Sequence, residues 1–178
     1  MQHYDYIQTF EKNAKKQVDI ALDLIGSWVA IRRRITADDD IPRCSCFSTT
    51  RTQGDPYCPF CYGTLYEGGY FPTQLVKASI AHEEMDLTMD DPRGLLTVST
   101  VKSTFPSTPK LKERDLIAIV TYDPGINRIV HELRRFVTES INYILWRNVI
   151  IGQKVNLTFI GDRDEEMKVP IVRKALDD

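Results

Sequence analysis

Between residues 115 and 122 the chain reads Asp-Leu-Ile-Ala-Ile-Val-Thr-Tyr, with apolar side chains on both faces of the extended segment. A strand that is apolar on both faces is typical of the middle of a sheet, where both faces are covered. The next three residues, Asp123-Pro124-Gly125, are strong turn formers. We therefore expect a central strand at 115–122 that ends in a tight turn.

Several other segments alternate apolar and polar residues, which indicates half-buried strands. Such alternation occurs at 28–35, 76–80, 96–99 and 155–159, and a short last strand is expected at 168–172. The segments between these strands are polar. Residues 83–91 predict an acidic loop, residues 103–109 with their two prolines an exposed loop, and residues 161–165 a turn.

The segment at 129–141 fits two patterns. Its apolar residues recur at helical spacing, but its place directly after a turn favours a strand, particularly at 135–141. Taken together, the elements predict an α+β, mostly β fold, either a small barrel or a sandwich. Residues 1–178 are expected to form a single domain.

The N-terminal segment has the spacing of an amphipathic helix. Seven apolar residues recur every three or four positions, while charged residues occupy the other side, and Gly26 is a plausible stop. The apolar residues are Ile7, Phe10, Ala14, Val18, Ala21, Leu22 and Ile25. This stripe could dock on the core of its own domain or on a neighbouring subunit.

All the cysteines of the chain lie in one short segment. Cys44 and Cys46 are followed, after eleven residues, by Cys58 and Cys61. Four thiolates suit a tetrahedral Zn²⁺ ion. The second pair, Cys58-Pro59-Phe60-Cys61-Tyr62-Gly63, has the turn that lets two sulfurs face one ion, and Gly63 permits a tight backbone there.

The alternatives to a zinc site are free thiols in a loop or a disulfide formed on oxidation. His82 or His131 could also replace one cysteine as a ligand. Four sulfur ligands leave no open coordination position, so the predicted zinc is structural rather than catalytic. Because residues 36–70 have few apolar side chains, we expect the metal to order this insertion in place of a core.

Composition and charge disfavour several classes of protein, although a local basic patch stays possible. The formal net charge is −2, whereas a protein that binds nucleic acid over its whole surface is usually basic. No apolar run approaches the roughly 18–20 residues that cross a bilayer. The first residues lack the basic start and apolar stretch of a signal peptide, so we expect a soluble protein made in a reducing compartment.

Chemistry-bearing motifs are few. The sequence contains no phosphate-binding loop, no dinucleotide-binding glycine pattern and no nucleophile elbow, so we do not expect an enzyme. The basic triplet Arg32, Arg33 and Arg34 could be a set of solvated charges on an exposed strand. Alternatively, these arginines could contact phosphate groups or an acidic partner surface.

The segment at 31–70 resembles a segment of small virion proteins of tailed bacteriophages. The residues that carry this resemblance are Ile31-Arg32-Arg33-Arg34, Pro42-Arg43-Cys44-Ser45-Cys46, Cys58-Pro59-Phe60-Cys61-Tyr62-Gly63-Thr64 and Gly68-Gly69-Tyr70. The C-terminal layout is similar to that of neck and tail-end structural proteins. It comprises the motif at 112–117, the triplet Trp146-Arg147-Asn148 and a late strand through Phe159.

The resemblance implies a structural protein of the phage particle, made in the host cytoplasm and located in the virion. Its place would be the neck, in a head-completion, connector or tail-terminator ring that joins head to tail. Its partners would be copies of itself in the ring and other virion proteins of the head–tail junction, with a possible non-specific contact with packaged DNA and no membrane. A baseplate or tail-end protein and a zinc-ribbon nucleic-acid-binding protein are the alternatives.

Overall fold

In the computed structural model, which describes residues 2–47, 54–55, 57–81, 100–160 and 168–171, the chain forms one α-helix and six strands. Helix α1 spans Gln2–Ile25, and a short 3-10 turn spans Ala37–Asp39. The strands are β1 (Ser27–Arg32), β2 (Gln74–Ile80), β3 (Thr100–Pro106), β4 (Leu116–Asp123), β5 (Arg128–Trp146) and β6 (Val149–Phe159).

The strands close into an antiparallel barrel with the order β1-β2-β3-β6-β5-β4, and β4 pairs back with β1. The predicted mostly β fold with an N-terminal helix is confirmed, and of the two expected architectures the barrel is the one formed. Strand β4 lies between β1 and β5, as expected for a central strand. A closed sheet leaves few strand edges open to unwanted pairing.

The barrel interior is filled by alternate residues of its strands, as the period of two requires. The predicted strands at 76–80 and 155–159 supply Ala78, Ile80, Val155 and Leu157, all of which are buried. The outer face of β1 and β4 is also covered. There a second cluster joins Ala30, Ala118, Val120 and Ile171, which explains why β4 is apolar on both faces.

Strand β5 settles the ambiguity at 129–141 in favour of the strand. Its first half pairs with β4, beginning at Asp123↔Arg128, and its second half pairs with β6, ending at Trp146↔Val149. Cross-strand pairing on both sides overrides the helical spacing of its apolar residues. As a result, the side chains of Val130 and Leu133 remain exposed.

Two expectations about strands and loops are wrong. Residues 103–106 are not an exposed loop but the second half of β3, in which Ser103 and Phe105 are buried. The Ser103 hydroxyl donates to the carbonyl of Val155 at 2.8 Å, so a polar residue is accommodated inside the barrel. Residues 168–171 form no strand, and barrel side chains hold them instead.

Helix α1 ends at Ile25, directly before the predicted stop at Gly26. Its C-terminal half packs against β2, β3 and β6, with Leu22 buried, so at least this end docks on its own domain. Lys77 of β2 donates to the carbonyl of Asp23 at 2.8 Å and ties the two elements together. The strand expected at 96–99, the acidic loop and the turn at 161–165 lie outside the described residues.

Candidate metal centre

The cysteines lie on an excursion of the chain between β1 and β2, here called the cysteine segment (residues 33–73). The excursion is closed at its base by a bridge between Arg34 and Tyr70 and further out by one between Arg43 and Tyr66. Backbone hydrogen bonds, such as that from the Phe71 amide to the Arg33 carbonyl at 2.9 Å, reinforce the base. The segment therefore leaves and rejoins the barrel at adjacent points.

The second cysteine pair is shaped by a tight turn. The Tyr62 amide donates to the Cys58 carbonyl at 2.9 Å, and the Thr64 amide and hydroxyl both donate to the Cys61 carbonyl. Tyr62 and Gly63 have positive φ values of 50° and 78°, which fold the chain back sharply after Cys61. This local structure directs the sulfur atoms of Cys58 and Cys61 towards those of Cys44 and Cys46.

The first pair is placed by the neighbouring strand-like bridge. The Cys44 amide donates to the Leu65 carbonyl at 2.8 Å, and the Phe47 amide donates to the Cys44 carbonyl at 2.9 Å. The C-x-C pair is thus held against the residues that follow the second pair. Both halves of the site are fixed by backbone hydrogen bonds.

The four sulfur atoms form one compact group that could hold a metal ion. All four lie within 4.8 Å of one another, with Cys44 Sγ 3.7 Å from Cys58 Sγ and Cys46 Sγ 3.4 Å from Cys61 Sγ. A tetrahedral ion with Zn–S bonds of about 2.3 Å requires sulfur separations of about 3.8 Å. The spacing fits such an ion and is too long for disulfides, so the cysteines are free thiols.

Burial makes the thiol group electrostatically unusual. Cys44, Cys58 and Cys61 are buried, and Cys46 is half-buried. Partial burial and the neighbouring thiols raise the pKa of Cys46 to about 12, and burial also raises the pKa of Cys61. Burial opposes ionisation of Cys58 too, but the backbone amides of Cys61 and Phe60 outweigh it and lower its pKa to about 7. Four thiolates together would need a cation to balance their charge.

Gly69 lets the chain that returns to the barrel pass close to the turn at Cys58–Cys61. Its φ is 65°, and a Cβ at this position would lie 2.5 Å from the carbonyl oxygen of Cys61. No residue with a side chain fits so close to another backbone. The second glycine of the quoted Gly68-Gly69-Tyr70 motif therefore has a defined packing role.

Asp115 anchors the base of the cysteine segment to the barrel, a role that sequence inspection missed. Its side chain is fully buried and accepts hydrogen bonds from the amides of Arg34 at 2.7 Å and Lys112 at 2.8 Å. Burial raises its pKa to about 6, although these two amides and the nearby charges of Arg33 and Lys112 act in the opposite direction. The sequence signal that could have indicated this role is an acidic residue directly before an apolar strand.

The three arginines of the basic triplet, for which contact with a partner was one prediction, have different surroundings. Arg32 is only 2% exposed, and its guanidinium donates to the backbone carbonyls of Tyr70 and Phe71. Arg33 stacks over the Phe71 ring at 4.7 Å, and both Arg33 and Arg34 are half-buried. The solvated-charge interpretation is therefore wrong for Arg32, while contact of Arg33 and Arg34 with an external partner stays a prediction.

The histidine alternative fails for His131, which is exposed on β5 and does not belong to the sulfur group, while His82 lies outside the described residues.

Among the described residues, no helix combines the length and the apolar character needed to span a membrane. No protein-family model matches the chain, and neither does any curated protein.

Proposed function

We propose that this chain is a structural protein of a tailed bacteriophage particle that holds one Zn²⁺ ion and assembles with copies of itself into a ring at the neck. Assembly is supported by the position of its exposed apolar side chains, and the zinc by the geometry of its thiols. The location in the neck rests on the resemblance of residues 31–70 and 112–159 to virion proteins. A catalytic role forms no part of this proposal.

The thiol group suits Zn²⁺ better than the hard cations of proteins, because Mg²⁺ and Ca²⁺ prefer oxygen ligands. A four-sulfur site is coordinatively closed, so the ion would crosslink the chain rather than activate a substrate. Crosslinking is what the cysteine segment needs, since it lies outside the barrel core. Its buried cysteines form a separate small cluster.

The observation that carries the assembly proposal is the exposure of large apolar side chains on projecting elements. The turn after β4 exposes Ile126 by 64%, and the tip of the β5–β6 hairpin exposes Leu145 by 58%. At the end of α1, Leu24 is 80% and Ile25 is 74% exposed. Contiguous exposed apolar patches are typical of protein–protein interfaces, and Leu24 and Ile25 are adjacent at the end of the helix. Rings of identical subunits bury many such contacts.

The zinc proposal is tested by metal analysis of full-length protein purified without chelator. We expect one equivalent of Zn²⁺ per chain, less than half an equivalent for Cys61→Ser, and no change for Ser45→Ala, a matched control between two ligands. A wild-type content below about half an equivalent contradicts the site.

The neck proposal is tested in the particle. The protein should be present in purified virions, and its loss should leave filled heads without attached tails. Complete, infectious particles that lack it would contradict the proposal. Tails that are attached but lack an organised tip would favour the baseplate alternative.

Measurement of DNA binding at several salt concentrations distinguishes the nucleic-acid-binding alternative from the structural proposal. Because Arg32 is buried, the informative variant is the double change Arg33→Ala and Arg34→Ala. Tight, salt-sensitive binding that this variant abolishes would favour a zinc-ribbon nucleic-acid-binding protein. The structural proposal expects at most weak binding.

A further inference from the structure

Residues 168–171, here called the C-terminal segment, are held on the outside of the barrel by side chains. Arg135 donates to the carbonyl of Val169 at 2.7 Å, and the Thr73 hydroxyl donates to the carbonyl of Ile171. Val169 and Ile171 are buried in two different apolar clusters. Among the described residues, no backbone–backbone hydrogen bond joins this segment to the barrel. Its docking therefore depends on where the side chains around it are held.

Arg32 joins the C-terminal segment to the cysteine segment. Its guanidinium donates to the carbonyl of Pro170 and also to the carbonyls of Phe71 at 3.3 Å and Tyr70 at 3.4 Å. Tyr70 and Phe71 lie where the cysteine segment rejoins the barrel. One buried cation thus serves both segments, and displacing either one leaves part of its hydrogen-bonding capacity unused.

An apolar contact makes the same connection. Val169 shares a cluster with Tyr70, Leu116 and Ile160, and Tyr62 packs against that cluster. Tyr62 directly follows Cys61 in the turn that points the sulfurs inward. A change in this turn would therefore move one wall of the site that buries Val169.

A third contact lies at the edge of the metal centre. The ammonium group of Lys168 is 4.2 Å from the ring centroid of Tyr57, the residue before Cys58. Between the two segments lies a cleft of about 510 Å³, whose walls include Cys44, Phe60 and Pro170. The C-terminal segment thus meets residues next to both cysteines of the second pair.

We infer that Zn²⁺ binding at the four cysteines and docking of the C-terminal segment are coupled, so that each stabilises the other. This inference rests on the proposed zinc site. The metal fixes the turn that carries Tyr57 and Tyr62, and these residues form part of the surface on which the segment docks. Coupling between two sites is reciprocal, so loss of the segment must weaken zinc binding by the same factor as loss of zinc weakens docking.

Tryptic cleavage of the full-length chain measures docking directly. Trypsin cuts after Lys168 only when Val169, which is 1% exposed, is released. The initial rate at which the 1–168 product forms is measured by mass spectrometry with one equivalent of Zn²⁺ bound and after chelation. We expect chelation to raise this rate by about 5- to 150-fold, the usual range of coupling between sites. Cleavage after Lys154, within β6, is the internal control and should remain negligible in both states.

Equal rates within twofold, with zinc content verified, would overturn the inference and leave the zinc site standing. If no zinc binds, both proposals fail. Tyr57→Ala, at a residue that is 72% exposed and so compatible with folding, should lower the ratio of the two rates while the chain still binds one equivalent of zinc.

The reciprocal experiment measures zinc affinity by competition with a chelator. Ile171→Ala removes a buried side chain of the segment, and Leu133→Ala is the control at a 62% exposed position on β5. We expect at least about fivefold weaker zinc binding for the first variant and none of this loss for the second. Unchanged affinity in Ile171→Ala would overturn the coupling.

Discussion

Replacement of Gln153 by Met should destabilise the barrel from inside. Gln153 lies on β6, is fully buried, and satisfies three backbone groups between the end of β3 and the start of β4. Its Oε1 accepts from the amide of Leu111 at 2.9 Å, and its Nε2 donates to the carbonyls of Pro106 at 2.7 Å and Pro109 at 2.8 Å. Met has nearly the same length, so the variant removes the hydrogen bonds while keeping most of the volume.

The size of the effect follows from the groups left unpaired. Each buried polar group that loses its partner costs about 1–3 kcal/mol, and three groups are involved. Burying the apolar Met side chain instead of an amide returns roughly 2 kcal/mol. The net loss should be about 1–7 kcal/mol, against the roughly 5–15 kcal/mol that stabilises a typical domain.

Equilibrium urea unfolding, followed by tryptophan fluorescence, measures this loss as a change in the free energy of unfolding. The matched control is Gln74→Met, at an exposed position at the start of β2, which should change the free energy by less than about 0.5 kcal/mol. A change of similar size in Gln153→Met would refute the reasoning, because the three backbone groups would then have found other partners.

Three further predictions concern the base of the cysteine segment and the metal. Because the pKa of Asp115 rises to about 6 on folding, the folded chain binds more protons than the unfolded chain between about pH 4 and pH 6. As the pH rises from about 4 to about 6, the free energy of unfolding of the wild type should therefore fall by up to about 3 kcal/mol relative to that of Asp115→Asn. Urea unfolding at several pH values measures this difference, which should stay constant above about pH 6. Gly69→Ala should weaken zinc binding measured by chelator competition at least tenfold, since its Cβ meets the Cys61 backbone, whereas Gly125→Ala in an exposed turn should leave it unchanged. Chelation should raise amide hydrogen exchange in the cysteine segment while exchange in the barrel strands stays slow, because the barrel has its own core; equal acceleration in both would contradict this separation.

Much of the architecture follows from local sequence patterns. The strands at 76–80 and 155–159 alternate strictly, and strand β4 is apolar on both faces, so their burial follows from the period of two. The cysteines are equally readable, since the ligand spacing defines a site without reference to the rest of the chain. The helix end beside Gly26 is also predictable, because glycine directly follows the last residue of the helical apolar pattern.

Other features were decided by residues distant in sequence. Residues 129–141 form a strand despite their helical spacing because they pair with β4 and β6. The polar segment at 103–106 can lie in an interior strand because the Ser103 hydroxyl donates to the carbonyl of Val155. The alternation at 168–172 predicts a last strand, but side-chain donors such as Arg135 hold residues 168–171 without backbone pairing to the barrel.

The amino-acid sequence alone determined the mostly β class, the amphipathic helix and the grouping of the four cysteines, because each of these depends on spacing along the chain. The tertiary structure decided the closure of the barrel, the burial of Arg32 and the roles of Asp115 and Gln153. A buried polar side chain is stable only where partners converge on it. For these three residues the partners include backbone groups that folding brings from elsewhere in the chain.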